Sequence, residues 1–131
     1  MQNSVTPFLM FQGKAEEALN LYVSLIPNSK IVDIQRYGPQ GPGAPGSVMM
    51  ARGVIGGLPV IFNDSNVVHS FTFTPSTSLF VACASEQELD RIAEALADEG
   101  QFLMPIDNYG FSRRFAWLND RYGVSWQLNL E

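Results

Sequence analysis

The sequence has 131 residues, enough for one domain, and its 46% hydrophobic and only 16% charged content excludes a disordered chain. A formal net charge of −5, with only Arg113-Arg114 adjacent among the basic residues, argues against nucleic acid or an anionic membrane surface as partner. The single cysteine, Cys83, excludes an intramolecular disulfide and a cysteine-rich zinc site. No run reaches the roughly 20 apolar residues needed to span a bilayer. Residues 1–6 lack a basic stretch followed by an apolar run, so a soluble cytoplasmic protein is expected.

Thr6 to Phe11 is a short apolar run ending at Gly13 and reads as a buried strand. Lys14 to Leu25 follows as a helix, with Ala15, Ala18, Leu19, Tyr22 and Leu25 on one face, and Pro27-Asn28 ends it. Lys30 to Tyr37 alternates imperfectly and reads as a strand. Gly38 to Ser47 is rich in Gly and Pro, which suit neither a helix nor a central strand, and is expected as a mobile loop. Val48 to Ile55 and Leu58 to Phe62 are strands around Gly56-Gly57, a two-residue hairpin signal.

Asn63 to Ser76 reads as a connector, with some extended structure expected at Ser70 to Thr74. Ser78 to Ala84 is a second buried strand. Ser85 caps a second helix with Glu88 at the capping-box position. That helix presents Leu89, Ile92, Ala93 and Leu96 on one face and runs to about Glu99, where Gly100 stops it. Gln101 to Met104, Phe111 to Leu118 and Val124 to Leu130 are further strands, the last two joined by a turn at Asn119 to Gly123.

The order is strand, helix, three strands, twice over. Each βαβββ unit has one helix to cover one face of its sheet, which leaves the other face open. Two such faces can line a common concave site. A single domain over 1–131 is expected, with module one at about 5–66, a connector at about 67–76 and module two at about 77–131.

PFLMFQGKAEEALNLY, SLFVACASEQELDRIAEAL and above all YGFSRRFAWLNDRYGVSWQLNL resemble the PhnB-like branch of the vicinal-oxygen-chelate superfamily of glyoxalases, bleomycin resistance proteins and dioxygenases. In the last string Trp117, Asp120, Gly123, Trp126 and Gln127 stand at family spacing. Members often carry the label 3-demethylubiquinone-9 3-methyltransferase domain. The resemblance covers nearly the whole chain. It implies an α+β glyoxalase-like fold with mixed sheets around a cleft, and a homodimer. The residues do not support the methyltransferase label. The first strand leads through a single Gly13 into a helix, without the Gly-rich turn that holds such a cofactor.

Metal-dependent members place His, Gln or Glu on the first and last strands of their modules. By resemblance those positions hold Pro7, Ser78 and Gln127 here, with Asp64 near the end of module one. That set does not suit a divalent metal, so no cofactor is expected. Asp64, Gln127 and His69 are the residues left to ligate one. His69, the only histidine, lies in the connector and reads as a surface or hydrogen-bonded residue unless a dimer brings it to a partner's site.

Strand parity supplies the other candidates. Ser112, Arg114 and Ala116 are expected on the cavity face, with Phe115 and Trp117 on the helix side. Ser125, Gln127 and Asn129 are expected on the cavity face, as are Ser78, Phe80 and Ala82. Leu9, Phe11 and Phe80 would be its apolar lining. Arg114 would hold an anionic head through paired hydrogen bonds, its plain alternative being an exposed arginine at a sheet edge. Trp117 and Trp126 read as core, and Cys83 as an inert packing thiol.

The expected function is binding of a small, partly apolar molecule with a polar or anionic head in a cleft without a catalytic metal. Two alternatives stay open: a metal-dependent glyoxalase-type lyase or thiol transferase, and a drug-sequestering module of the bleomycin-resistance kind.

Overall fold

The structure, a computed structural model, describes residues 3–131. The chain divides into two compact units, one through His69 and one from Ser70 to Glu131. Each has the expected βαβββ order, and the fold is α+β with two four-stranded mixed sheets.

In the first unit, β1 (Phe8–Phe11), α1 (Ala15–Leu25), β2 (Lys30–Arg36), β3 (Val48–Ile55) and β4 (Leu58–Asp64) give the sheet order β1-β4-β3-β2. β1 runs parallel to β4, and the other pairs are antiparallel. Ala15, Ala18, Leu19 and Tyr22 form the buried stripe of α1, at the helical spacing seen in the sequence. They meet a sheet face that carries Ala51, Val60 and Phe62, all buried. Phe11 stacks on Phe62 with ring centres 5.8 Å apart. Gly56 and Gly57 both have positive φ, at 58° and 87°, as the mirror-image hairpin turn requires.

Lys14 precedes α1 but makes no side-chain cap. Asp64, at the end of β4, does that work from across the unit. Its Oδ1 accepts from the Gly13 and Ala15 amides at 2.8 and 2.9 Å, and its Oδ2 from the Val48 amide at 2.9 Å. The carboxylate thus ties the start of the helix to the start of β3.

In the second unit, β5 (Ser78–Ala82), α2 (Glu86–Ala97), β6 (Gln101–Asp107), β7 (Arg114–Asn119) and β8 (Ser125–Leu130) give the order β5-β8-β7-β6. Leu89, Ile92, Ala93 and Leu96 of α2 are buried, with Ala116, Leu118, Trp126 and Leu128 of the sheet. Ser85 caps α2 as expected: its Oγ accepts from the Glu88 amide at 3.1 Å, while Glu88 reaches back to the Ala84 amide at 3.0 Å.

Several expectations need correction. Gly100 is not the residue that turns the chain out of α2; Glu99 takes the left-handed conformation, at φ 60°. Gly100 is needed for space instead, since a Cβ there would lie 2.2 Å from the Asn119 carbonyl oxygen. Residues 70–74 pair with no strand. The Gly/Pro segment is a loop without helix or strand, as expected, and its ends are tied at Tyr37, whose main chain exchanges bonds of 2.9 Å with Ser47 and Gly46. The Tyr37 hydroxyl donates to the Asp64 carbonyl at 3.0 Å. Among the described residues no helix is long and apolar enough to cross a membrane.

Candidate functional site

The helix covers one face of the second sheet, and alternation places every second residue on the other. The tight turn between β7 and β8 sets their register: Asp120 N–H bonds the Val124 carbonyl at 2.9 Å. The Asp120 carboxylate also accepts from the Val124 amide at 3.0 Å and the Trp126 indole at 2.9 Å. Trp117 therefore stands opposite Gln127, and Phe115 opposite Asn129. The parallel pairing of β5 with β8 adds Phe80 beside Gln127 and Ser78 beside Ser125.

Phe80, Phe115, Trp117, Gln127 and Asn129 line a pocket of about 450 Å³ within the second unit. Its aromatic lining is Phe80, Phe111, Phe115 and Trp117, with Met104 from β6. Its polar lining is Ser112, Gln127, Asn129 and Glu131. Phe80 and Phe111, both in this lining, are 61% and 63% exposed, so the pocket presents apolar ring surface to solvent. Phe111 and Phe115 meet nearly edge to face, centres 4.9 Å apart and planes at 72°. Tyr109 meets Phe115 at 87°.

Beside the pocket runs a chain of hydroxyls. The Trp117 indole donates to Ser125 Oγ at 2.8 Å, Ser125 Oγ bonds Ser78 Oγ at 2.8 Å, and Gln127 Nε2 lies 3.5 Å from Ser78 Oγ. Ser112 Oγ, in contrast, is buried and has no hydrogen-bond partner. A buried unpaired hydroxyl costs about 1–3 kcal/mol.

Of the candidates from sequence, Phe80, Ser112, Gln127 and Asn129 come together in this pocket. Ser78 and Ser125 share its sheet face and form the adjoining hydroxyl chain. Arg114 does not join them. It and Ala116 face α2, and its guanidinium is held by Asp90 through bonds of 2.8 and 2.9 Å, with Glu86 at 3.5 Å. The faces expected for β7 are thus reversed. Ala116 is fully buried because a small residue lets α2 approach, while Phe115 and Trp117 take the open face.

Leu9 and Phe11 are also on the other face from that expected. They stand opposite Phe62 and Asp64 in β4, and so belong to the helix side and core of the first unit. Phe8 and Met10 alternate to the open face there. Asp64 is 2% exposed with both oxygens on main-chain amides, so its carboxylate is committed to structure. His69 Nε2 lies 3.1 Å from Ser65 Oγ, at the end of the first unit.

Metal ligands fit this geometry poorly. Ser78, Ser125 and Gln127 are neutral donors already engaged with one another, and a divalent cation in such a site favours carboxylate or imidazole. Among the described residues no three of His, Cys, Asp and Glu are grouped so as to hold a metal ion. Cys83 is outside the pocket. Burial, reinforced by nearby Glu88, pushes its thiol up to about 11, so it is protonated and poorly nucleophilic at neutral pH.

Met104, Phe111, Phe115, Trp117 and Glu131 are pocket residues that sequence reasoning missed. A signal for two of them was present. Once Gln127 and Asn129 are assigned to the open face, the short turn after Asn119 forces their antiparallel partners onto it too.

A family model described as 3-demethylubiquinone-9 3-methyltransferase matches residues 3–129. A PhnB protein from Bacillus cereus, carrying that same methyltransferase description, is 51% identical. The match covers 98% of this chain and 100% of that one, with a TM-score of 0.95. Protein PA1353 from Pseudomonas aeruginosa is 25% identical over 99% of this chain and 98% of its own, with a TM-score of 0.84. A glyoxylase/bleomycin resistance protein/dioxygenase domain from Frankia is 17% identical over 99% and 93%, with a TM-score of 0.66, a likeness of fold. No curated protein matches the sequence.

Proposed function

The chain belongs to the PhnB-like family described as 3-demethylubiquinone-9 3-methyltransferase, and on that premise we propose that its second unit binds a small, largely apolar molecule without a resident metal. The observation that carries this reading is the pocket of about 450 Å³ walled by four aromatic side chains, with the Gln127 and Asn129 amides among its polar lining. Aromatic walls supply affinity by burial, and a few fixed polar groups supply orientation.

The methyl-transfer description finds no support in the geometry. The turn after β1 carries one glycine, Gly13, and its amide is spent on Asp64 at 2.8 Å instead of being free to meet a cofactor. An anionic head on the ligand also loses its supposed partner, since Arg114 is spent on Asp90. A cytoplasmic homodimer stays part of the proposal, on the family resemblance, and sedimentation of the purified protein tests its oligomeric part.

Phenol is a suitable first probe, being small, apolar and able to bond one hydroxyl. Titration followed by NMR should shift the Trp117 indole and the Gln127 and Asn129 side-chain amides, equally before and after chelation with EDTA. Shifts that map away from the second sheet, or that vanish on chelation, would refute the reading.

A further inference from the structure

We infer that the pocket of the second unit selects an organic cation of the alkylated ammonium class over a neutral molecule of the same shape. The inference rests on the proposed binding role of that pocket and names the chemistry of what enters it.

Three observations support it. The first is the set of walls. Phe111 and Phe115 are set at 72° with centres 4.9 Å apart, and Phe80 and Trp117 complete the aromatic lining. The negative face of each ring attracts a cation placed over it.

The second is charge. Among the described lining residues there is no Lys, Arg or His, and the only ionisable one is the carboxylate of Glu131. The two arginines nearest in sequence are engaged. Arg114 is paired with Asp90, and Arg113 holds the main-chain oxygen of Glu131 at 2.7 and 3.1 Å, where it lines a separate polar pocket with Glu86 and Asp90.

The third is the wider field. From Ser70 onward the sequence has nine Asp and Glu against four Arg and no Lys, while up to His69 it has four of each sign. The whole formal charge of −5 therefore belongs to the unit that holds the pocket. Such a field draws cations toward the site and repels anions.

Choline and its neutral isostere 3,3-dimethylbutan-1-ol share shape and differ in charge, so they isolate this term. Binding of each to the intact protein is measured by NMR at low and at physiological ionic strength, with phenol as a third ligand. Choline should bind about tenfold more tightly than the isostere, the size expected for a partly desolvated cation on aromatic faces. Glu131→Gln should weaken choline by about threefold and leave the isostere unchanged. Phe111→Leu should weaken choline more than the isostere. Equal or tighter binding of the isostere would overturn the inference. So would failure of choline to bind while phenol still does, and in both cases the pocket's binding role survives. Failure of phenol, isostere and choline together would overturn both.

Discussion

Asp64→Ala should be the most destabilising polar truncation in the first unit. The Asp64 carboxylate is 2% exposed and accepts from three main-chain amides, those of Gly13, Ala15 and Val48, at 2.8 to 2.9 Å. Alanine leaves all three donors without it. Each buried orphan costs about 1–3 kcal/mol, and water can reach the part-buried Gly13 amide, so the sum is about 3–5 kcal/mol. That is a large share of a typical domain's 5–15 kcal/mol. Asp64→Asn keeps one acceptor oxygen but turns an NH2 group toward another donor, and should cost about 2 kcal/mol. Urea unfolding followed by circular dichroism is the assay. With a slope of about 2 kcal/mol/M, the alanine midpoint should fall by about 2 M at unchanged slope. A fall of less than about 0.5 M for alanine, or equal falls for alanine and asparagine, would refute the view that the carboxylate is the helix cap.

Gly100→Ala should destabilise by more than about 2 kcal/mol or shift the strand end, because its Cβ would meet main-chain atoms of Asn119 and Asp120 at 2.2 to 3.0 Å. Gly13→Ala meets nothing within 4 Å but has φ 98°, and should cost about 1–2 kcal/mol by the same unfolding assay. Arg114→Met should lower stability by about 1 kcal/mol and leave phenol binding unchanged; loss of phenol binding would return Arg114 to the site. Cys83 should react with iodoacetamide at pH 8 on the order of a hundredfold more slowly than in the urea-unfolded chain, since burial raises its thiol to about 11. The unfolded thiol ionises first as pH rises. The stability it contributes is therefore intact below the ordinary thiol range and lost as pH climbs from there toward about 11.

Much of the fold was legible because its signals are local. The helical stripe from Ala15 to Tyr22, the Ser85–Glu88 box and the Gly56-Gly57 hairpin each need only neighbouring residues, and all three stand where the pattern placed them. The site was legible in part. Gln127, Asn129 and Phe80 follow from alternation in strands whose outer face is polar or exposed. β7 defeats that reasoning, since an aromatic pair reads as core and Ala116 reads as filler. A small residue buried under α2 and two rings left on the open face reverse the sense of the pattern without altering its period.

By itself, then, the sequence determined the two βαβββ units, their helix faces and the Ser85 cap of α2, because periodicity and local capping act over one turn or one hairpin. Only the tertiary structure decided which faces of β1 and β7 meet a helix, and what becomes of Asp64 and Arg114. Both could have been read as ligands, yet one closes on three amides and the other on Asp90. A charged side chain's role is set by the partners that folding brings within about 3 Å, and those partners lie 16 to 51 residues away in sequence.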